Sequence, residues 1–566
     1  MKNNSNTDGF VEKDYKPVDR LLKNFEIHDV SSKEIIKEFL VNIVFKVKYE
    51  EIQIQSKDSY NILKDLFEKI LTKNKSFTII LEKNYIDKVY RDSYYFYYSG
   101  KYSKYERNCR RLIILEDQVD IDSFFTTLSD KDIEKKLIGS IVLRPLVGRE
   151  LGRTLLDPRK LFSDSMGAGY VRLTKYHIHI FGHNLSIQAF PYCMQDSETI
   201  SCAEVTILNL IDYFSETYQE YCSILPSTII KISEELDCER RIPTNGLTFP
   251  QMSTILAQVG FYPILYRADK LKDRKFKRTL HYYIESGIPV GIGLTKENGI
   301  FHSIIGIGHG SINKSKEKLL ENLSVVSSGE KKEEGIKNDF LWISDVADLM
   351  DSYCVIDDNR EPYSFYTIKD IYGADEQSIC QIDGHKAYYL MVPLYKKMYL
   401  EASDAFAICQ GILSDKYYGI KKAIQYINEI HEGVCDIELG KKTHPVVTRL
   451  FMASSRTFRN VRVNQFKTEN TMLQLVYSLV VLPKFVWVCE LYSPDSYTED
   501  KAIGELVLDA TAAPSFQSNS VIIIHYPGQI VFKDPESMWS NKDFDEMIII
   551  DDWESFDQFK RNLIPI

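Results

Sequence analysis

The sequence has few cysteines, no long apolar run and no excess of positive charge. Its ten cysteines are scattered through 566 residues without a CxxC pair, which argues against a disulfide framework and predicts free thiols in a reducing cytosol. The longest apolar stretch, residues 475–489, is interrupted by Pro483 and Lys484 and is too short to span a bilayer. The first residues contain no apolar signal segment, so we expect a cytoplasmic protein.

Charge and motif content also argue against several classes of ligand. The 70 basic and 80 acidic residues give a net charge of -10, so neither nucleic acid nor an anionic membrane is an expected partner. The sequence contains no phosphate-binding GxxxxGK[ST] loop and no GxGxxG after a strand, and we predict no cofactor. His177, His179 and His183 resemble metal ligands, but nothing nearby completes a site and we predict no metal. The oligomeric state stays open.

The length predicts two or three domains, because a single core rarely uses so long a chain. Patterns of helices and strands predict an α+β protein with a central domain between two mixed flanking domains. The predicted parts are a disordered lead-in (1–30), an N-terminal α/β domain of unknown role (31–185), a central domain (186–399) with a charged insertion (311–338), and a C-terminal α+β domain (400–566).

The central domain contains the residues that suggest chemistry. Apolar residues at helical spacing follow Cys202 and place it in the first turn of a helix, where partial positive charge lowers the pKa of a thiol. His302 begins an apolar strand and is a candidate base. Asp357 and Asp358 lie at the end of the strand YCVI (353–356), and Asp345 follows the strand FLWIS (340–344). Any of the three aspartates is a candidate for orienting the imidazole.

These pieces occur in an order that resembles the papain-like superfamily of cysteine peptidases, in particular bacterial members similar to bacteriocin-leader-processing peptidases. The resemblance covers residues 186–395 and rests on QDSETISCAEV, GLTFPQMSTILAQVGF, GIPVGIGL, HSIIGIG and VIDDN. It implies that Cys202 attacks a carbonyl and that His302 moves the proton. It also implies that Asp357 orients the ring, with Asp358 as the next choice. Gln195 would help to hold the oxyanion. It therefore implies cleavage of an amide bond in a peptide or protein through an acyl-enzyme.

The sequence departs from the pattern of the family at Gln195 and Glu204, and two other functions stay open. Gln195 precedes Cys202 by seven residues where the family usually has six, and Glu204 lies in the first turn, where its side chain either faces water or approaches the thiol. A papain-like site also performs deamidation or transamidation, and the fold also serves as an inactive binding or scaffold protein. We interpret the charged insertion as a lid over the cleft because it follows the strand of His302.

Elsewhere the C-terminal region places Glu490 and Asp509 at the ends of apolar strands, with His444 and His525 nearby. We interpret these as buried, hydrogen-bonded strand residues or as a surface for a partner, rather than as a second site.

Overall fold

The computed structural model describes residues 22–119, 124–125, 127–162, 169–236, 242–271, 273–295, 301–327, 340–367, 386–430, 439–513, 519–533, 546–550 and 553–566. Most of the predicted lead-in (1–21) and the second part of the charged insertion (328–338) lie outside the described residues. Among the described residues, no helix is both long and apolar enough to cross a bilayer.

The predicted α+β class is confirmed, because helices accompany sheets whose strands pair mainly antiparallel. The helices are α1 (Lys33–Phe39), α2 (Tyr49–Gln55), α3 (Lys57–Asn74), α4 (Lys88–Phe96), α5 (Asp130–Lys136), α6 (Cys202–Thr217), α7 (Pro226–Leu236), α8 (Phe249–Gln258), α9 (Asp273–Glu285), α10 (Lys316–Glu321), α11 (Ala402–Leu413), α12 (Ile420–Ile430), α13 (Ser455–Glu469), α14 (Thr471–Leu479) and α15 (Pro494–Thr498).

The strands are β1 (Phe25–Val30), β2 (Phe77–Tyr85), β3 (Cys109–Glu116), β4 (Leu137–Leu143), β5 (Leu151–Leu156), β6 (Gly169–Val171), β7 (Thr174–Ile180), β8 (His183–Ala189), β9 (Phe261–Arg267), β10 (Val290–Thr295), β11 (Phe301–Gly310), β12 (Leu323–Ser327), β13 (Phe340–Asp345), β14 (Ser352–Ile356), β15 (Ser364–Thr367), β16 (Lys386–Tyr395), β17 (Val446–Ser454), β18 (Phe485–Tyr492), β19 (Lys501–Ala502), β20 (Gly504–Asp509), β21 (Val521–Tyr526), β22 (Gln529–Phe532), β23 (Glu546–Ile549), β24 (Phe556–Asp557) and β25 (Ile564–Pro565).

The described chain divides into two compact units. The first unit comprises Met1–Phe162, Lys175–Asp196 and Leu225–Ser227, and the second comprises Ser163–Thr174, Ser197–Ile224 and Thr228–Ile566. The separate C-terminal domain from residue 400 stays a prediction.

The first unit is built on the antiparallel sheet β1-β2-β3-β4-β5. Its inner strands are continuous apolar runs, as strands buried on both faces require, and the hairpin β7–β8 packs its alternate apolar residues on the same core. β1 lies inside the predicted disordered lead-in. It is ordered because Phe25 and Ile27 pack against that core while the backbone pairs with β2.

The second unit contains two large sheets with one shared core. The site sheet has the order β15-β14-β11-β10-β16-β9, with β6 and β25 attached, and the C-terminal sheet has the order β12-β13-β17-β18-β20-β21-β22-β23. Helix α9 contacts β11 in the site sheet and β17 in the C-terminal sheet. The buried residues Ile292 of β10, Leu280 of α9 and Trp487 of β18 belong to one cluster. A single apolar core therefore supports both sheets.

The region that we assigned to the central domain contributes to both sheets of this unit. β12 and β13 belong to the C-terminal sheet, where β13 pairs with β17 in parallel through Ile343 and Val446. Leu341 and Ile343 are buried in the shared core, so burial of the FLWIS side chains explains the pairing.

The described part of the charged insertion also differs from the predicted lid. It forms α10 and β12, and it leaves β11 at the end opposite to His302. Eight residues of extended strand separate the two ends by roughly 26 Å. This separation argues against a lid formed by the described part.

Candidate active site

Cys202 is the first residue of α6, a helix of 16 residues whose apolar side chains are buried almost all round. The side chain of Cys202 is partly exposed. Glu204 receives a hydrogen bond from the Ser201 backbone N–H at 3.0 Å and a second from the Ser201 hydroxyl. This capping arrangement fixes the start of the helix, and the free backbone N–H groups there surround the thiol with partial positive charge.

One of our two expectations was that the Glu204 side chain faces water, and in the structure it does not. The residue is only 4% exposed, and its second carboxylate oxygen accepts a hydrogen bond from the Thr244 hydroxyl at 2.7 Å. The same hydroxyl accepts the Gly246 backbone N–H at 3.0 Å. The carboxylate therefore ties the start of α6 to the turn that leads into α8.

A second tie joins α6 to the strand of the histidine. The hydroxyl of Thr206, one turn after Cys202, donates to the Ser303 hydroxyl at 2.9 Å, and both residues are buried. Next to Ser303 in the sheet lies Gly293, where an added Cβ would be 2.4 Å from the Phe249 ring of α8. The lack of a side chain at Gly293 thus lets α8 lie directly on the sheet. The sequence contains no signal that could have identified these contacts.

His302 is buried near the start of β11, opposite Leu294 of β10. Its Nε2 lies 2.8 Å from Oδ1 of Asp357, the residue that follows β14. β14 pairs with β11, so the strand-end aspartate reaches the imidazole across neighbouring strands. The structure therefore brings together His302 and the aspartate that we favoured from the sequence.

Asp357 is itself held in one orientation. Oδ1 accepts the Asn359 backbone N–H at 3.0 Å, and Oδ2 accepts the Tyr366 hydroxyl of β15 at 2.8 Å. Asp358 lies further from the ring, with its Oδ1 3.8 Å from His302 Nε2. Tyr366 was not among the predicted residues, because the sequence does not reveal that β15 is the next strand.

The protonation of this group follows from its neighbours. Burial lowers the pKa of His302. Three neighbours raise it by more than burial lowers it: Asp357 through its hydrogen bond and charge, Cys202 through a hydrogen bond, and Asp358 through its charge. The net pKa is therefore well above its usual value. Burial raises the pKa of Asp357, yet hydrogen bonds and charge from His302 outweigh this and the net pKa is lowered. Asp357 and Cys202 thus both act on the His302 ring, Asp357 through a contact of 2.8 Å with Nε2.

Asp345, the alternative orienting acid, is engaged elsewhere. It ends β13 in the C-terminal sheet, is fully buried, and accepts a hydrogen bond from the Tyr282 hydroxyl while Arg278 lies 3.3 Å away. Burial is the main cause that raises the pKa of Asp345 to about 6. Because β13 belongs to the C-terminal sheet, Asp345 lies away from His302, and the acid that contacts the imidazole is Asp357.

Gln195 belongs to the first unit, in the segment after β8. Its backbone carbonyl accepts a hydrogen bond from the buried guanidinium of Arg144 at 3.3 Å, and the neighbouring Met194 carbonyl accepts another at 2.8 Å. Arg144 therefore fixes the backbone at this point. The role of Gln195 as an oxyanion donor stays a prediction.

Metal-binding geometry occurs at the same imidazole and not at the histidine-rich hairpin. One ligand atom each from His302, Asp357 and Asp358 lies within 4.8 Å of the others. His177 and His179 share the exposed face of β7. His183 is engaged by Asp130 at 2.6 Å and by the Phe124 carbonyl at 2.8 Å.

The polar residues of the C-terminal sheet form a buried ladder, which we call the ionic ladder. Arg449, Glu490, Glu505 and His525 are cross-strand neighbours on β17, β18, β20 and β21. Arg462 of α13 bridges the two glutamates, with Nη2 at 2.7 Å from Glu490 and 2.6 Å from Glu505. All of these residues are buried, and the two arginines pair with the neighbouring glutamates.

The two other polar residues of that region lie outside the ladder. Asp509 accepts the Thr511 backbone N–H at 2.7 Å in a turn, and the exposed His444 contacts Thr443 at 3.1 Å.

Comparisons with known proteins do not assign the chain to a family. No family model matches it, and a search of curated proteins found no match. Catalytic roles for Cys202, His302 and Asp357 therefore stay a prediction, supported by their geometry and by the resemblance of the sequence motifs.

Proposed function

We propose that the second unit contains a papain-like thiol hydrolase that cleaves an amide bond of a peptide or protein. The observation that carries the proposal is the 2.8 Å contact between His302 and Asp357, on a ring whose pKa is also raised by Cys202 at the start of α6. Its support from the fold is that α6 packs on β11 of an antiparallel sheet, with the acid on the adjacent strand. This is the arrangement that a papain-like domain requires.

Each residue has one role in the proposed mechanism. The Cys202 sulfur attacks the carbonyl carbon, and backbone N–H groups at the start of α6 stabilise the oxyanion. The imidazolium of His302 gives its proton to the leaving amine, which breaks the C–N bond and leaves a thioester. The neutral imidazole then takes a proton from water, and the resulting hydroxide releases the acid product and restores Cys202. Asp357 keeps the ring in the correct orientation throughout.

We place this reaction in the cytosol. All seven cysteines that the structure describes are free thiols, and free thiols are usual in a reducing compartment.

A comparison of two cysteines in the same chain tests the proposal. Cys202 is only partly exposed, whereas Cys222 is exposed, so accessibility alone predicts faster alkylation of Cys222. The proposed site predicts the reverse, because the thiolate is the reactive species. We expect iodoacetamide at pH 7 to label Cys202 at least about tenfold faster than Cys222, measured by peptide mass spectrometry. Slower labelling of Cys202 would contradict a catalytic thiol and favour a binding or scaffold protein.

The mass of the product decides which reaction the thiol performs. Cleavage adds water and divides the substrate, deamidation replaces an amide nitrogen by oxygen, and transamidation joins two peptides. Incubation of a peptide library with the full chain, with the Cys202→Ala variant as control, separates the three. We expect cleavage products that the Cys202→Ala variant does not form.

A further inference from the structure

The His302 imidazole faces two carboxylates, although one is enough to orient it. Nε2 makes its hydrogen bond to Asp357 at 2.8 Å, while an oxygen of Asp358 lies 3.8 Å from the same nitrogen. All three residues are buried, with exposed fractions of 8%, 2% and 4% for His302, Asp357 and Asp358. A ring nitrogen and two carboxylate oxygens therefore converge on one point in a poorly solvated environment.

The spacing of these atoms suits a small divalent ion. Zinc bonds to histidine nitrogen and carboxylate oxygen are about 2.0–2.2 Å long, so tetrahedral ligand atoms lie about 3.3 Å apart. The observed separations of 2.8 and 3.8 Å lie on either side of that value. All three ligand atoms lie within 4.8 Å of one another, and movement of the two aspartates toward the tetrahedral spacing would complete three ligand positions and leave the fourth for water.

We propose that His302, Asp357 and Asp358 form a binding site for one divalent transition-metal ion of the Zn²⁺ type, which inhibits the thiol reaction. Imidazole nitrogen with carboxylate oxygen is a ligand set that Zn²⁺ accepts. Two carboxylates also neutralise the charge of the ion at a buried position, where unbalanced charge is costly. The binding part stands on geometry alone, and the inhibition part rests on the proposed function.

The inhibition follows from the loss of one of the two protons of the His302 imidazolium when the metal binds. Binding of the ion to Nε2 displaces the proton of that nitrogen into solvent. The ring then keeps a single proton, on the nitrogen that faces away from the aspartates. Donation of this proton to a leaving amine would leave an imidazolate anion, so the acyl transfer stops while the metal is bound.

Calorimetric titration of Zn²⁺ into the chelator-treated full chain tests the site. We expect Asp358→Asn to bind Zn²⁺ at least about tenfold more weakly than the unmodified chain. Cys202→Ala should bind as the unmodified chain does, because the thiol is not a ligand. Asp351→Asn removes an exposed carboxylate, 85% accessible, from the same unit and should also leave the affinity unchanged, as should the His177→Ala/His179→Ala double variant.

Two results would overturn the metal site. One is that Zn²⁺ does not bind, or binds to Asp358→Asn as tightly as to the unmodified chain. The other is loss of binding in Cys202→Ala with retention in Asp358→Asn, which would place the ion on the thiol. If Asp358→Asn fails to fold by circular dichroism, His302→Gln removes the ring nitrogen and must abolish the same binding.

The inhibition is measured separately, so that the two proposals can fail independently. Zn²⁺ should stop the formation of cleavage products from the peptide library, because that step needs a proton on the leaving amine, and excess EDTA should restore it. If Zn²⁺ binds through Asp358 while Cys202 labels more slowly than Cys222 without metal, the metal site holds and the hydrolase proposal falls. If Cys202 labels rapidly without metal and bound Zn²⁺ leaves the rate of peptide cleavage unchanged, the inhibition is refuted.

Discussion

Two regions of the second unit bury a histidine beside charged residues, and the pKa of the histidine shifts in opposite directions in the two. In the site sheet, Asp357 and its neighbours raise the pKa of His302 well above its usual value despite burial. In the ionic ladder, burial and the charge of Arg462 lower the pKa of His525 to about 3. The comparison teaches that burial of a histidine is not a sign of chemistry, and that the partner of the ring decides what the ring can do.

The two regions also differ in how their charges are balanced. The ionic ladder encloses arginines and glutamates that neutralise one another away from water. The candidate site has instead a partly exposed thiol, Cys202 at the start of α6, which acts on the buried His302 ring of the site sheet. Of the groups compared, only the Cys202 side chain is partly exposed, whereas the charges of the ionic ladder are buried and paired.

The largest effect should come from breaking the ionic ladder. Arg462→Met leaves Glu490 and Glu505 with one fewer positive partner in a fully buried place. We expect a loss of about 3–5 kcal/mol in the free energy of unfolding, measured with urea. Folded molecules of the variant should still label at Cys202 at the normal rate. A selective loss of labelling in a folded variant would contradict the separation of the two regions.

The next effect should come from removing the imidazole of the site. His302→Ala removes the hydrogen-bond partner of Cys202, and we expect iodoacetamide labelling of Cys202 to slow by roughly a hundredfold. His525→Phe is the matched control, because it removes a buried histidine of the ionic ladder and should leave this rate unchanged. Equal effects of the two variants would argue that His302 acts only through stability.

A third prediction concerns His281 of α9, a buried histidine without an orienting acid. Neither ring nitrogen has a hydrogen-bond partner among the described residues. Facing it are Glu285 at 3.9 Å, His309 with a ring separation of 5.4 Å, and the charges of Arg449 and Lys277. Burial lowers the pKa of His281 to about 3.

The unfolded chain therefore binds a proton at His281 between about pH 6.5 and pH 3 that the folded chain does not bind. The stability contribution is complete above pH 6.5 and declines as the pH falls through this window, by about 1.4 kcal/mol per pH unit. His281→Leu should remove this slope, and urea unfolding at pH 7 and pH 5 measures it. An unchanged pH dependence would show that His281 does not titrate in this way.

The smallest effect should come from the neutral contact beside the site. Thr206→Val removes the hydrogen bond to Ser303 and should lower the free energy of unfolding by about 1 kcal/mol. Labelling of Cys202 should slow only slightly, because Glu204 and Thr244 still hold the start of α6. The Thr206→Val/Ser303→Ala double variant should recover part of the stability, since it leaves no unpaired hydroxyl.

Local patterns in the sequence predicted the elements of the site more reliably than their surroundings. The helical spacing after Cys202 and the strand that begins near His302 are local features, and both elements are present. The partners Thr244, Ser303 and Tyr366 were not predicted, because each is a polar residue with no pattern of its own. The strand FLWIS was predicted as a strand, but its assignment to the central domain did not anticipate its pairing with β17.

The choice among the three aspartates shows the same limit. Asp345 and Asp357 both follow apolar strands and look alike in sequence. Parallel pairing of β13 with β17 places Asp345 beside Arg278, and antiparallel pairing of β14 with β11 places Asp357 at His302. Only the order of strands in the sheets distinguishes them.

The sequence by itself determined that Cys202 starts a helix, that His302 lies on a strand and that Asp357 ends one, because periodic apolar residues and strand ends are local signals. Tertiary structure alone decided which aspartate meets the imidazole, that Glu204 turns away from water to Thr244, and that Asp358 converges on the same nitrogen. Those contacts join residues far apart in the chain. They depend on sheet order and on the competition for buried volume, which no local pattern encodes.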